Sequence, residues 1–521
     1  MKIGFGLLAF ILLAPGAVAA PLAPGTVDDF TGKPRLVVLT DIGNEPDDQM
    51  SLVRLLLYSN EIEIEGLVAT TSTWQKDKVR PDTLHEVIGA YGDVRENLLK
   101  HAPGWPTAAQ LDATVSQGLE TYGMAALRTR PATIPLTTGA AGIIAAADRA
   151  DTRPLWIALW GGANTFAEAL SHVRATRDAA ALEKFIARLR VYSITDQDDA
   201  GPWIRREFPD LFYIVKPSAP DAGEYAYATW TGISGDVYYR NGAGADGSTV
   251  TNEWLDTHIR GKGPLGKHYP KFAFIMEGDT PSFLGLTNNG LESFRNPGWG
   301  GWGGRYNYLQ PYGETHALWT QGGDLFPRVT SQDAVTGIDG KTHLSDQATI
   351  WRWREAFQNE FSARMDWTVQ PFAAANHPPA VVVNEVGGTA PVYLDAEAGK
   401  PVTLSAVGTS DPDRQALSYR WFHYAEAGYL PGQALAAVEI ANDRAARATV
   451  TVTRPCRAHW IPAATDRCPA SIAHVILAVT DLGTPRLTSY RRVILRVHAA
   501  ASSADQSIGS AASRTSPTAG R

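Results

Sequence analysis

Cysteine is nearly absent from this chain of 521 residues, with Cys456 and Cys468 the only two. Two thiols make at most half a tetrahedral zinc site, so a thiolate metal centre is not expected. In an oxidising compartment the pair reads as a disulfide. No long block of charge of one sign occurs. The 47 basic and 54 acidic residues leave a net charge of −7, and that balance, without a basic stripe, argues against a nucleic-acid partner. Nor does any apolar run reach the roughly 20 residues that a bilayer-spanning helix needs. The N-terminal run over 3–13 follows Lys2, breaks at Pro15-Gly16 and reaches the small residues Ala17-Val18-Ala19. This is the pattern of a secretory signal peptide over 1–19, with a retained N-terminal anchor as the alternative. The expectation is a secreted protein, periplasmic or extracellular, with no membrane anchor.

What the chain does have is length, tryptophan and clustered carboxylates. At about 150 residues per domain, its length suggests two or more domains. Fifteen Trp offer platforms for sugar rings, although many belong in a core. From 33 to 372, short apolar runs alternate with amphipathic helical stretches. Residues 35–40, 62–69, 155–159, 191–194, 212–215 and 272–276 read as strands, and 47–58, 165–174 and 182–189 as helices. This predicts an α/β fold, a mostly parallel sheet flanked by helices, with ligands at the carboxyl ends of its strands. From 378 to 499, helical periodicity gives way to short strands at 402–404, 417–422, 448–452 and 493–497. These predict a small all-β sandwich of immunoglobulin or cadherin type, with Trp421 in its core. Residues 500–521 are Ala/Ser-rich and poor in large apolar side chains, a disordered tail by composition.

The most informative stretch is Asp41-Ile42-Gly43-Asn44-Glu45-Pro46-Asp47-Asp48. It places four carboxylates on the loop between a buried strand and a helix. Carboxylates in a first helical turn complement the helix dipole, which accounts for Asp47 as readily as a ligand does. Asp41, at the end of a buried strand, would be a costly desolvated charge unless a cation or donors hold it. Oxygen ligands on a loop favour Ca²⁺.

Here the chain resembles the nucleoside hydrolase superfamily, whose first motif is Asp-x-Gly-x-Asp-Asp after a strand. Asp41-Ile42-Gly43 matches its first half and Asp47-Asp48 its second; the loop is two residues longer, and Leu39 stands where the family usually has another Asp. The Asn-Glu-Pro-Asp-Asp form looks like the secreted branch described as nucleoside hydrolase-like, cellulose-binding proteins with a C-terminal sandwich. Trp160-Gly161-Gly162-Ala163-Asn164 resembles a strand-end motif that gives calcium a backbone carbonyl. Glu277-Gly278-Asp279 matches the site of the last calcium Asp.

The resemblance implies calcium held by Asp41, Asp48, the Trp160 carbonyl and Asp279. It also implies water activated there, with Asp41 as general base, and inversion at the anomeric carbon. Many relatives place a His before the last Asp, where this chain has Gly278. An O-glycoside needs a proton donor, for which Glu277, Asp196, Asp198 and Glu45 are candidates. Asp47, Trp74, Asn164, Trp299 and Trp302 are expected around the substrate, the last two on a Gly-rich loop suited to ring stacking. His85 on an amphipathic helix reads as packing or solvated. The leading expectation is a secreted calcium-dependent glycosidase-type hydrolase acting on a carbohydrate. The alternatives are a non-catalytic carbohydrate (cellulose)-binding protein on the same fold and a periplasmic nucleoside N-ribohydrolase.

Overall fold

In the computed structural model, the described residues are 27–129, 134–218, 232–234, 244–311, 313–322, 331–428, 437–454 and 471–498. The signal-peptide, disulfide and tail expectations lie outside them. The strands of the first sheet are β1 (Arg35–Thr40), β2 (Glu63–Ala69), β3 (Val115–Gln117), β4 (Leu155–Leu159), β5 (Leu189–Ser193), β6 (Phe212–Val215), β7 (Asn307–Leu309) and β8 (Leu318–Thr320). They run in the order β3-β2-β1-β4-β5-β6-β8-β7, parallel except for the β7–β8 pair. β1 and β4 are buried along their whole length, as continuous apolar runs in a sheet covered on both faces must be. Helix α1 (Asp47–Leu56) follows β1 and helix α2 (Pro81–Leu98) follows β2.

The chain winds outward from β1 through β2 to β3, then returns to lay β4 on β1's other side. The order therefore reverses between β1 and β4, and the crevice at their carboxyl ends is the topological switch point. Asp41 leaves β1 there, and Trp160-Gly161-Gly162 leaves β4. A Cβ on Gly161 would lie 2.9 Å from Asp41 Oδ1 and 3.0 Å from Asp41 N, so the two strand ends approach this closely because that residue has no side chain.

Residues 272–276 do not form the expected strand; the segment is irregular, and β8 takes the place beside β6. Beyond the hairpins β9–β10 (Asp333–Thr336, Thr342–Ser345) and β11–β12 (Val382–Val383, Val386–Gly387) comes the sandwich. Its strands are β13 (Val392–Glu397), β14 (Pro401–Ser405), β15 (Leu417–His423), β16 (Ala437–Ala441), β17 (Arg447–Arg454), β18 (Ser471–Asp481) and β19 (Thr488–His498). They make a four-stranded sheet β13-β19-β18-β15 and a three-stranded sheet β14-β17-β16, with Trp421 buried in the core. Among the described residues no helix is long and apolar enough to cross a membrane.

Candidate functional site

The switch-point crevice opens into a cleft of about 170 Å³ lined by Asp41, Glu45, Asp47, Asp48, Trp74, Ile194, Gln197, Phe274, Ile275 and Asp279. One water needs only about 10–15 Å³ of such space, so many fit. Asp47, Asp48 and Asp279 each offer an oxygen, and these oxygens lie within 4.8 Å of one another. Asp41 stands beside them on the same cleft. All four side chains are buried, and among the described residues no Lys or Arg is ion-paired to any of them.

What holds each carboxylate is local. Thr40 Oγ1 donates to Asp48 Oδ1, and Ser72, just beyond β2, donates to Asp41 Oδ2. Gln75 Nε2 donates to the Asp41 carbonyl at 3.0 Å. Asp41 Oδ1 and Asp279 Oδ2, by contrast, are buried with no hydrogen-bond partner. Leaving an acceptor of this kind unsatisfied costs about 1–3 kcal/mol and more for a charge.

The electrostatics agree. Burial, partly offset by the Ser72 bond and reinforced by Glu45, pushes Asp41 up to about 7. Burial and then Asp41 push Asp47 to about 7. Asp48 and Asp279 go well above the ordinary carboxylate range, first by burial and then by neighbouring charge, that of Asp41 and Asp47 on Asp48 and that of Asp48, Asp47 and Asp41 on Asp279. A shift from 3.8 to about 7 corresponds to about 4 kcal/mol against the ionised form. The α1 dipole returns only about 0.3–1 kcal/mol. The helix terminus therefore does not account for the cluster, and the donor set of hard, unneutralised oxygens fits a divalent cation such as Ca²⁺.

A pH dependence follows. A carboxyl with a raised folded pKa keeps a proton that the unfolded chain has already released, so the folded state binds more protons between about pH 4 and 7. In chelator, the thermal midpoint is therefore expected to fall as pH rises through that window. In an Asp48→Asn/Asp279→Asn variant the slope should fall to about half, since Asp41 and Asp47 keep their raised values through burial, and equal slopes in the two proteins would remove Asp48 and Asp279 as a source.

The other expected residues divide. Trp160 is fully buried; its carbonyl accepts from Gln197 Nε2, and its Nε1 donates to Ser282 Oγ at 2.7 Å. Gln197 Oε1 is itself buried without a partner, so this amide joins the site. Asn164 does not cap the helix Asn164–Thr176. Its Nδ2 donates to Thr71 Oγ1 at 3.0 Å and Thr121 O at 2.8 Å, tying β2's end to β4's. Trp74, 38% exposed, lines the cleft.

Trp299 and Trp302 require correction. They are 5% and 0% exposed, Trp299 against His474 and Trp302 between Phe357 and Tyr490. The Gly-rich loop is real, but the sandwich covers it, and neither ring presents a face to a sugar. Phe274, 63% exposed, lines the cleft beside Trp74. Its apolar neighbours made it read as a core strand.

Of the four candidate proton donors, Glu277 is sealed in an ion pair with Arg54 and Asp196 in one with Arg205. Asp198 is buried, accepting from the backbone N–H groups of Asn164 and Ala200. Glu45 alone lines the cleft. His85 lies on the surface against Asp112. Ser72 and Gln197 had no sequence signal beyond standing beside Trp74 and between Asp196 and Asp198.

A parallel sheet with carboxylates at its switch point, completed by a sandwich, defines a nucleoside hydrolase-like protein. The family described as cellulose-binding Sde182, nucleoside hydrolase-like domain, matches residues 35–306, and its C-terminal domain, that of cellulose-binding protein Sde0182, matches 401–497. The chain belongs to this family. Among solved structures it is similar to a nucleoside hydrolase-related hypothetical protein from Saccharophagus degradans, described as associated with carbohydrate metabolism. That protein is 34% identical, with a TM-score of 0.71, over 90% of this chain and 100% of the other. The PKD domain of the KIAA 1837 protein is 21% identical over 22% of this chain and 88% of its own, with a TM-score of 0.14, too slight a likeness to carry an argument. No curated protein matches the chain.

Proposed function

We propose that this chain is a secreted, calcium-dependent glycosidase-type hydrolase acting on a carbohydrate, with Asp41 as general base. The observation that carries it is the pair of buried, unpartnered carboxylate oxygens, Asp41 Oδ1 and Asp279 Oδ2, in one cleft with Asp47 and Asp48. Asp48, Asp279 and the Trp160 carbonyl would hold the ion with Asp41, and Asp47 joins them. Calcium supplies, when bound, the positive charge that orients sugar hydroxyls and acidifies water in the site.

Asp41 has one oxygen fixed by Ser72 and the other free to accept a proton, which is what a positioned base requires. Trp74 and Phe274 give the cleft exposed aromatic surface on which a sugar ring can stack. Phe274→Ala is expected to weaken glycan binding about fivefold, on the order of 1 kcal/mol, at unchanged thermal stability because the ring is mostly exposed. Unaltered glycan affinity in a titration would take Phe274 out of the site.

The family's description as cellulose-binding, together with Gly278 where many relatives carry His, favours a second reading: a binding protein on this fold without turnover. Calorimetric calcium titration of the wild type beside Asp41→Ala/Asp48→Ala, followed by a screen of aryl glycosides, cello-oligosaccharides and nucleosides, separates them. Binding lost in the variant, with calcium-dependent sugar release, is the expected result. Calcium and oligosaccharide binding without release supports the second reading, and no calcium heat at all sinks the cation site.

A further inference from the structure

The cation site is assembled from two parts of the chain. Asp47 and Asp48 open α1, whereas Asp279 sits on an irregular segment with no strand or helix of its own. Their charges repel, so something else must hold the halves together before an ion arrives. Arg54 lies two turns along α1 from Asp47, and its guanidinium meets Glu277 at 2.5 Å (Nε–Oε2) and 2.9 Å (Nη2–Oε1). Both side chains are fully buried.

The pair is saturated on every side. Tyr269 Oη donates to Glu277 Oε1 at 2.6 Å. Arg54 Nη2 also donates to Gln358 Oε1 at 2.5 Å, and the guanidinium lies over the Phe361 ring at 3.9 Å. Thr280 Oγ1 stands 2.8 Å from Glu277 Oε2 and 3.0 Å from Ser51 Oγ on α1, making a second link between the same two elements. Glu277 itself has φ 52°, a left-handed conformation that a residue with a side chain adopts at a cost and keeps only where its surroundings impose it. It turns the chain two residues before Asp279.

We infer that the buried Arg54–Glu277 pair, with Thr280, is the clamp that positions Asp279 against Asp47 and Asp48. The inference rests on the calcium reading above. These residues do not touch the ion; they set the distance between the carboxylates that do. Supporting residues of this kind are typically worth about 10- to 100-fold in metal affinity.

The test is calcium titration calorimetry on the full chain, with unfolding midpoints measured in chelator. In Arg54→Met/Glu277→Leu both charges leave together, so the net charge around the site is unchanged. Replacing both partners of a buried pair with apolar groups often preserves stability where removing one does not. Calcium affinity is expected to fall about 10- to 100-fold while the midpoint stays near that of the wild type. Thr280→Val, uncharged and of the same shape, removes the second link and is expected to weaken calcium about tenfold; it carries the test should the double variant not fold. Wild-type calcium affinity in the folded variants overturns the clamp alone. No heat with the wild-type chain overturns the calcium reading and the clamp with it.

Discussion

Asp41→Asn is expected to melt at a higher temperature than the wild-type chain in calcium-free buffer at pH 8, and to show almost no turnover. Asp41 is 3% exposed, one of its oxygens is unpartnered, and burial pushes it up to about 7. Above that pH the ionised side chain carries on the order of 4 kcal/mol of unfavourable burial and repulsion. Asparagine removes the charge, keeps an oxygen for the Ser72 hydroxyl, and relieves Asp47, Asp48 and Asp279 of one repelling neighbour. Because those neighbours then ionise at less cost in the folded state, their relief adds to the gain. Loss of a general base costs about 10²–10⁴ in rate, so turnover should fall by at least the lower figure. Such a trade of stability for function is common at active sites. Thermal melts in chelator and release of sugar from whichever glycoside the screen identifies check the two halves. A lower midpoint would mean that Asp41 is held by contacts other than those described, and undiminished turnover would place the base elsewhere.

The parts of this fold that were legible in sequence are those whose burial is decided locally. β1, β4 and β6 are continuous apolar runs, and a strand covered on both faces by helices has no other pattern available. The Asp41–Asp48 loop was legible for the complementary reason: carboxylates at the end of such a strand have no solvent to explain them. Phe274 was not legible. An apolar run that borders a ligand cleft carries the same periodicity as one that enters a sheet, and only the strand pairing of residues distant in sequence, β6 with β8, shows that 272–276 is left out. Trp299 and Trp302 failed in the opposite sense. Glycines at 298, 300, 301, 303 and 304 do mark an irregular loop, but their purpose is close packing: a Cβ on Gly303 would lie 2.6 Å from the Pro281 carbonyl. Whether such a loop faces water depends on what docks over it, and that is set by residues more than a hundred positions away. Glu277 read as a possible acid because its partner Arg54 is equally remote; Arg205 and Ala200 stand close in sequence to Asp196 and Asp198, but no periodicity marks which of these neighbours fold onto one another.

Trp302→Ala is expected to destabilise the whole protein by about 3–5 kcal/mol while leaving a single cooperative unfolding transition. Trp302 is fully buried, with Phe357 of the helix Arg354–Asp366 on one side and Tyr490 of β19 on the other. It therefore fills a core shared by both domains, and one apolar cluster runs from β1 through Trp302 to Tyr424, Ile476 and Tyr490. Polar contacts follow the same boundary. Tyr490 N donates to Asn289 O at 2.9 Å, Gly428 N to Gly298 O at 2.8 Å, and Tyr424 Oη to Asp333 Oδ2 at 2.6 Å. Arg492, buried and lowered to about 10 by that burial, donates to Leu291 O at 2.7 Å and Gly300 O at 2.8 Å. A sandwich tethered as a separate module would not bury tryptophan and arginine at its boundary, since inter-domain surfaces that move are smaller and more polar. Urea unfolding followed by tryptophan fluorescence and by far-ultraviolet circular dichroism should give coincident transitions in the wild type, with the variant's midpoint shifted down at similar slope. Two separated transitions in the wild type would show that the sandwich folds and unfolds alone. Because the loop beneath Trp302 packs on Pro281, two residues beyond Asp279, calcium affinity in the folded variant is expected to weaken as well. Wild-type affinity there would confine the role of Trp302 to stability.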